Sequence, residues 1–579
     1  MKNGFSVLEV ILAVAIFMIF STGAVMTVVQ GYNTNRLGTE NTVASQFAAE
    51  GAEAVRSIKN RGYSNLTNFN AVGLQRNNPG NYWEFKTEGT NNILAHNNSD
   101  NYVRTVKVEN VNRDGSGNVV SSGGALDPDT KKITSTVTWN FNSARPETTS
   151  LISYLSDWRK PIVSGGPIMM VYSKTTSTPF YRIWDGSAWS AEASAQNVGG
   201  NINYIVLKSS RTRNEAVLAT LDSNGNIYAQ VWDGTSWGTP TLMANVGTTF
   251  AVYRSFDLEY EKSNDRSVIV FLPNSTSVDP AYRIWDGSNW TPATTITAPP
   301  TTGVIRWIET AQNPISTSNE IAMIMLDANI DVYGMTWSGS GWSNMGVATV
   351  WDATASTADR KAVDVAYEQT SGRAMFIWGD ATATDQYYRI WNSSSLTAAT
   401  LLDIPASGGV ANWVKLVTRP NSNELMYGVQ DAKADLNTRK WSGSAWDTDT
   451  QHPEYDKAVE NITSMNFDLV WETNSANPGK AWILWGDGAA ISKKQWSGSA
   501  WGSATTLTGS DDTSFIRLKA DLNSGAIFAG IYESATSKTD DIWESHLTGG
   551  GTSWNAENTI WAGPISAEPV YFRVDISAP

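Results

Sequence analysis

Hydrophobic positions divide the chain into three regimes. Residues 5–29 are almost unbroken apolar, 25 positions in all, long enough to span a bilayer. One acid, Glu9, interrupts the run. A carboxylate inside such a span costs about 2.5–3.5 kcal/mol on insertion scales, so it calls for a partner. After the span, Val43, Phe47, Ala54 and Ile58 recur at helical spacing with Gly51 on the same stripe. Glu50, Glu53, Arg56 and Lys59 lie between them, and Glu53–Arg56 adds a modest i,i+3 pair. The pattern predicts one helix over 5–60, roughly 80 Å long at about 1.5 Å per residue. It is apolar all round in its first half, amphipathic in its second, and stops at Arg61-Gly62-Tyr63.

From residue 61 the period changes from helical to two. Residues 61–158 read as short strands and polar loops. Positions 102–108 alternate as a half-buried strand does, Asp127-Pro128-Asp129-Thr130 reads as a turn, 133–139 alternate up to Trp139, and 148–158 form a terminal strand. Residues 159–166 read as a linker.

The rest of the chain repeats. A hairpin of the form Trp-x-Gly-x-x-Trp occurs at 184–189, 232–237, 285–290, 337–342, 441–446 and 496–501. Two further copies are degenerate: 391–396 has lost the Gly and the second Trp, and 543–554 carries an insertion. The leading Trp residues stand 47 to 55 positions apart, a period that, with several strands per unit, predicts propeller blades. Apolar second strands begin at 168, 216, 268, 321, 374, 425, 481 and 526, which makes eight. First strands precede only seven of them, at 204, 254, 305, 363, 413, 467 and 515; the eighth candidate is 570–575, near the C-terminus. A closed ring leaves only short protected edges. The expected fold is therefore an eight-bladed propeller whose last strand completes blade one. Seven blades, with one unit folded back, is the alternative. The Trp pairs need no functional explanation: aromatic cross-strand pairs contribute about 0.2–1 kcal/mol each, and Asp, Ser and Gly are turn residues.

The N-terminal residues Gly4-Phe5-Ser6-Val7-Leu8-Glu9-Val10 resemble the type III signal of type IV pilins and pseudopilins. Residues 49–58 closely resemble the matching part of minor pilins, and 127–158 resemble the C-terminal part of minor-pilin heads. The resemblance implies cleavage between Gly4 and Phe5 by a prepilin peptidase, N-methylation of Phe5, and pairing of Glu9 with the terminal amine of a neighbouring subunit. It implies a precursor that crosses the cytoplasmic membrane once and then joins other pilin subunits in an extracellular filament. The expected organisation is a leader (1–4), a transmembrane and filament-core helix (5–60), a β head (61–158), the linker (159–166) and the propeller (167–579). In fold class this is an α+β pilin module followed by an all-β propeller.

Composition narrows the function. The chain has no cysteine, so no disulfide staples it, and it is long enough to bury large cores without one. A net charge of −14 argues against nucleic acid as a partner. Most Lys and Arg residues read as solvated surface. His96, His452 and His546 are the only histidines and lie far apart, which speaks against a zinc site. There is no Gly-x-Ser-x-Gly motif, phosphate loop or Asp-box repeat. Asp222-Ser223-Asn224-Gly225-Asn226 lacks the later bidentate Glu of a calcium loop and reads as a β-turn. No enzyme, cofactor or metal is expected.

A binding surface is the remaining candidate. Tyr181-Arg182-Ile183-Trp184 recurs as Tyr282-Arg283-Ile284-Trp285 and Tyr388-Arg389-Ile390-Trp391, and Arg439 and Lys494 hold the same offset before Trp441 and Trp496. Residues two apart in a strand share a face. An Arg beside an indole can hydrogen-bond and stack against a sugar, and the repeat resembles in outline the blades of propeller lectins. The competing explanation is a surface cation over a ring, worth about 0.5–1 kcal/mol. The expectation is a minor or tip subunit of a type IV pilus-like filament that displays a propeller for adhesion to a surface glycan or protein. Alternatives are a pseudopilin of a secretion or DNA-uptake system and a pilin-anchored propeller glycoside hydrolase.

Overall fold

The computed structural model describes residues 6–61, 63–77, 80, 82–96, 100–114, 118–156, 168–174, 176–297, 303–404, 408–448, 452, 455–456, 459, 463–473, 479–488, 490–507, 513–533, 540–548, 551, 553–555, 558–563 and 574–577. Gly4, Phe5, the rest of the leader, Trp158 and the linker 159–166 lie outside the described residues. The chain forms two compact units, Met1–Ile162 and Val163–Pro579.

In the first unit one helix runs Val7–Arg61. Its start is a capping box: Glu9 accepts the Ser6 backbone N–H at 2.9 Å while the Ser6 hydroxyl accepts that of Leu8 at 3.2 Å. The apolar first half is exposed on every side, for example Phe17, Ile19 and Met26, and has the length and hydropathy of a membrane span. The second half buries the predicted stripe, with Val43, Gly51, Ala54 and Ile58 all enclosed. The helix lies on an antiparallel sheet ordered 82–88, 69–77, 100–113, 125–142, 145–156. Gly51 is required where they meet, because a Cβ there would stand 2.3 Å from the Ser135 hydroxyl. Arg104, almost fully enclosed, donates to the Phe47 carbonyl (3.1 Å) and to Glu50 (3.2 Å), and the Trp139 indole donates to buried Glu40 at 3.1 Å.

Two expectations for this unit need correction. Its main strands are long, Asp100–Arg113, Ala125–Asn142 and Arg145–Ser156. Residues 127–130 are not a turn but part of the second of these. Pairing on both flanks overrides the local turn preference, and the residues after Asp127 fall at a register shift between Asn110 and Val111, which is where a sheet tolerates Pro.

The second unit is an eight-bladed propeller of antiparallel sheets. The inner strands of blades two to eight are Ile202–Ser209, Phe256–Tyr260, Ile305–Gln312, Val363–Tyr367, Ala411–Thr418, Phe467–Trp471 and Thr513–Ala520. Blade one takes its inner strand from Val574–Ser577, which pairs with Met169–Tyr172 through Val574↔Tyr172 to Ser577↔Met169. The inner strands neighbour one another around the whole ring, so the closure expected from the repeat count is what is observed; of the strand expected at 570–575, positions 570–573 lie outside the described residues.

The Trp hairpins form as cross-strand bridges at Trp184↔Trp189, Trp232↔Trp237, Trp285↔Trp290, Trp441↔Trp446 and Trp496↔Trp501, with Trp337↔Trp342 paired in the sheet. Ring centroids in these pairs lie 5.5 to 5.8 Å apart. The Asp at the first turn position accepts backbone N–H groups two and three residues on. In Asp233 this turn network, led by the Thr235 hydroxyl, holds the carboxyl down to about 2. The turn Gly has φ between 95° and 107° at Gly186, Gly234, Gly287, Gly339, Gly443 and Gly498, and Ser393 takes the same left-handed turn at φ 65° in the degenerate copy. The eighth hairpin differs from expectation: Trp554 bridges to Leu547, while Trp543 pairs with Thr559 inside the sheet. The register Ile527↔Leu547, equivalent to Ala481↔Trp496, sets that position.

The blades are of two alternating kinds. Odd-numbered inner strands carry an Asp whose carboxylate accepts the backbone N–H of the next, even-numbered strand: Asp257 from Thr310 (2.7 Å), Asp364 from Leu416 (2.8 Å), Asp468 from Leu518 (2.8 Å) and Asp575 from Leu207 (2.9 Å). Even-numbered strands carry Val206, Glu309, Lys415 or Arg517 at the equivalent register position, with an aromatic residue two positions earlier, Tyr204, Trp307, Trp413 or Phe515.

Candidate ligand-binding site

Each Tyr-Arg-Ile-Trp segment is the third strand of an odd blade, and its side chains alternate between two interfaces. Tyr181 points to the following blade, with its ring 5.5 Å from Trp232 and 6.0 Å from Trp237. Tyr282 meets Trp337 at 5.3 Å and Trp342 at 6.5 Å, and Tyr388 meets Trp441 at 5.9 Å and Trp446 at 5.7 Å. Arg and Trp point to the preceding blade. Arg182 donates to the Ile560 carbonyl of blade eight at 3.4 Å, and Trp184 packs on Phe528 and His546 of that blade at 5.2 and 4.9 Å. Each segment therefore contributes its Tyr to one site and its Arg–Trp pair to another.

Four of the leading Trp residues are blade-to-blade clamps. The Trp285 indole donates to Glu215 at 3.0 Å, Trp337 to Glu261 at 2.7 Å, Trp391 to Glu320 at 3.0 Å and Trp441 to Glu368 at 2.8 Å. These carboxylates have further donors, among them Tyr260 on Glu215 at 2.9 Å and Tyr367 on Glu320 at 2.8 Å. The four Glu residues were not singled out from the sequence. Glu215 and Glu320 directly precede a second strand, and Glu261 and Glu368 directly follow a first strand, a regularity visible once blades are sorted by kind.

The arginines are less committed. Among the described residues, Arg283 and Arg389 have no hydrogen-bond or ion-pair partner for their guanidinium groups, and the Nε of each is enclosed without one. Arg182 keeps its Nε enclosed and unpaired as well, although its terminal nitrogens reach the Ser190 and Ile560 carbonyls. Arg389 stands 5.2 Å over the Trp351 ring, and burial pulls its pKa down. Lys494 occupies the same position in blade seven, 4.5 Å over Tyr455, and burial lowers its pKa too. One cation thus stands at this position in every odd blade. Arg439, the even-blade counterpart, is almost fully enclosed and donates to the Thr438 carbonyl.

The reading of Lys and Arg as solvated surface fails inside the ring. Arg254 and Lys361 are buried between inner strands, both bonded to Glu309. Burial opposes ionisation of Glu309, but these two cations outweigh it and hold its carboxyl at about 2. Among the described residues no cluster of His, Asp and Glu could hold a metal. His452 is spent on Thr438 and Asp447, each at 2.7 Å, and His546 on Glu544 at 2.6 Å. The Asp222 carboxylate accepts the N–H groups of Asn224 (2.9 Å) and Asn226 (2.8 Å), as expected of a turn.

These features define an eight-bladed β-propeller that follows, in sequence, a long N-terminal helix with an apolar first half. No protein-family model matches the chain, and no curated protein matches it. Solved structures similar to it include the BP39L lectin from Burkholderia pseudomallei (11% identity, 60% of this chain and 96% of that one, TM-score 0.45). Others are a mutant of the Aleuria aurantia lectin in complex with Fucalpha1-6GlcNAc (11%, 63% and 97%, 0.34) and apo AztD from Citrobacter koseri (9%, 69% and 97%, 0.38). At these scores the likenesses carry no functional weight, and the blade count rests on strand pairing alone.

Proposed function

We propose that this chain is a pilin-like filament subunit, minor or at the tip, that displays its propeller outside the cell to bind a glycan or other hydroxyl-rich surface ligand. The observation that carries the binding half is the set of cations at the even-to-odd blade interfaces, Arg182, Arg283, Arg389 and Lys494. A half-enclosed guanidinium with an unpaired Nε beside an indole offers a planar donor fork and a stacking surface to a sugar. The Trp residues position that fork, since Trp285 and Trp391 spend their N–H groups on Glu215 and Glu320. The Tyr residues serve the neighbouring interface.

The anchoring half rests on the exposed apolar half-helix and on Glu9. In the precursor the helix holds the protein in the cytoplasmic membrane. After cleavage by a prepilin peptidase between Gly4 and Phe5, it packs against other pilin subunits, and Glu9 exchanges its Ser6 cap for the terminal amine of a neighbour. No enzymatic activity is part of this reading.

Two measurements test it. A glycan array probed with detergent-solubilised full-length protein should give discrete binding that Arg283→Ala/Arg389→Ala weakens at unchanged thermal stability; an array blank for every glycan refutes the ligand class. Glu9→Ala should leave the precursor in the membrane but keep it out of sheared surface fibres. Normal incorporation of that variant refutes the filament role.

A further inference from the structure

The mouth of the propeller's central channel is a second candidate site, separate from the blade interfaces. It is a cavity of about 390 Å³ walled by residues from all eight inner strands, within the range of small-molecule sites. Five cations line it: Lys208, Arg211, Lys415, Arg517 and Lys519. Among the described residues two carboxylates do, Glu259 and Asp575, and both are engaged. Glu259 pairs with Lys208 at 2.5 Å, and Asp575 with Arg517 at 2.8 Å while also accepting the Leu207 N–H. Among the described residues, Lys415, Lys519 and Arg211 have no carboxylate at ion-pair distance. Asp364 and Asp468 act on Lys415, Glu259 and Asp265 on Arg211, and Asp575 and Glu259 on Lys519, all without direct contact. In a chain that carries −14, three cations thus line one enclosure with no carboxylate bonded to them.

These groups are held there at a cost. Burial lowers the pKa of Lys415, of Arg211, and of Lys519, the last to about 8 with the Lys208 ammonium adding to the effect. Converting such lysines to apolar residues of similar length is neutral or stabilising in a fold that needs nothing from their charge. Trp471 and Gln369 supply an aromatic face and an amide to the same wall.

We infer that the channel mouth binds a small oxyanion, a carboxylate- or phosphate-bearing molecule, through Lys415, Lys519 and Arg211. The oxyanion supplies the directly bonded acceptor that these three cations lack, and the donors approach it from blades two, six and eight. This goes beyond the blade-interface reading and stands independently of it.

The test uses the detergent-solubilised full-length chain with inorganic phosphate and acetate as probes, read by titration calorimetry and by the shift of thermal midpoint with probe concentration. Binding to the native state raises the midpoint with ligand concentration. The wild type should bind at least one probe and gain stability. Lys415→Met/Lys519→Met should fold with an equal or higher midpoint in buffer and bind at least about tenfold more weakly, a loss of about 1.4 kcal/mol. Lys519→Arg, which keeps the charge, should keep binding, and so should Arg283→Ala/Arg389→Ala. Failure of the wild type to bind either probe, or equal binding by the double Met variant, overturns the inference.

Discussion

Replacing Glu261 by Ala tests whether indole–carboxylate clamps hold the blades together. Its side chain is fully enclosed and accepts three charged or polar donors: Arg266 through Nε at 2.7 Å and Nη2 at 2.6 Å, and the Trp337 indole of the next blade at 2.7 Å. Without it, Trp337, at 1% exposure, keeps a buried N–H with no acceptor, which costs about 1–3 kcal/mol. Arg266 suffers less. Its side chain is 28% exposed and retains the Gly339 carbonyl at 2.7 Å, so the full cost of about 3–5 kcal/mol for stranding a buried charge does not apply. The expected loss is about 2–4 kcal/mol, the indole term plus a fraction of the ionic one. Trp337→Phe should cost less, because it removes the donor and leaves Glu261 to Arg266. Chemical denaturation of the two single variants and the double variant should give a coupling of about 1–2 kcal/mol, within the range for residues in contact. Additive single losses, or a Glu261→Ala variant within about 0.5 kcal/mol of wild type as at an ordinary surface site, would refute the clamp.

The remaining predictions concern the closing strand and the channel. Asp575→Ala strands the Leu207 N–H and leaves Arg517 without its partner; limited proteolysis should then cut first near the C-terminus, and native-like resistance would contradict ring closure by 574–577. Lys519 gives a pH signature. Its folded pKa of about 8 lies below the ordinary 10.5, so between these values the unfolded chain binds more protons and stability rises with pH. The groups facing it are Lys208, Asp575, Glu259 and Arg517; Lys208 and Arg517 are shifted up and Asp575 down, away from that window. Lys519→Met should raise the thermal midpoint at pH 7 and flatten its climb between about pH 8 and 10.5; an unchanged slope would show that this ammonium carries no penalty.

Much of the architecture was legible because it is periodic. The stripe Val43–Phe47–Gly51–Ala54–Ile58 and the second-strand runs follow from local sequence, and the missing first strand of blade one pointed to the C-terminus. What stayed hidden depends on partners far along the chain. Glu215 and Trp285 lie 70 residues apart, so nothing near either marks the clamp. Arg254 and Lys361 have Asp257 and Asp364 three residues along, but what buries them is the shared Glu309 on the blade between them, which nothing near either cation marks. The eighth hairpin misled through its Trp543, since a residue type was taken for a register that backbone pairing assigns to Leu547. Ser6-x-x-Glu9 is a capping box plain in the sequence, overshadowed by the question of what a carboxylate does in an apolar span. In the candidate site, the shared face of Arg and Trp was readable from strand alternation, but which neighbouring blade that face meets was not.

The two alternating kinds of blade impose a parity rule on the ring. An Asp-bearing edge fits an edge that offers a free N–H and an aromatic, and two like edges brought together would leave one carboxylate without its donor. Walking around the circle, the kinds can match at the closing seam only when the total is even. Seven or nine blades of this sort would trap one mismatched joint wherever it was placed, much as an odd ring of opposed magnets cannot satisfy every neighbour. Such a ring can gain or lose material only two blades at a time, so a duplicated or deleted segment that preserves the fold must span about a hundred residues, twice the visible repeat.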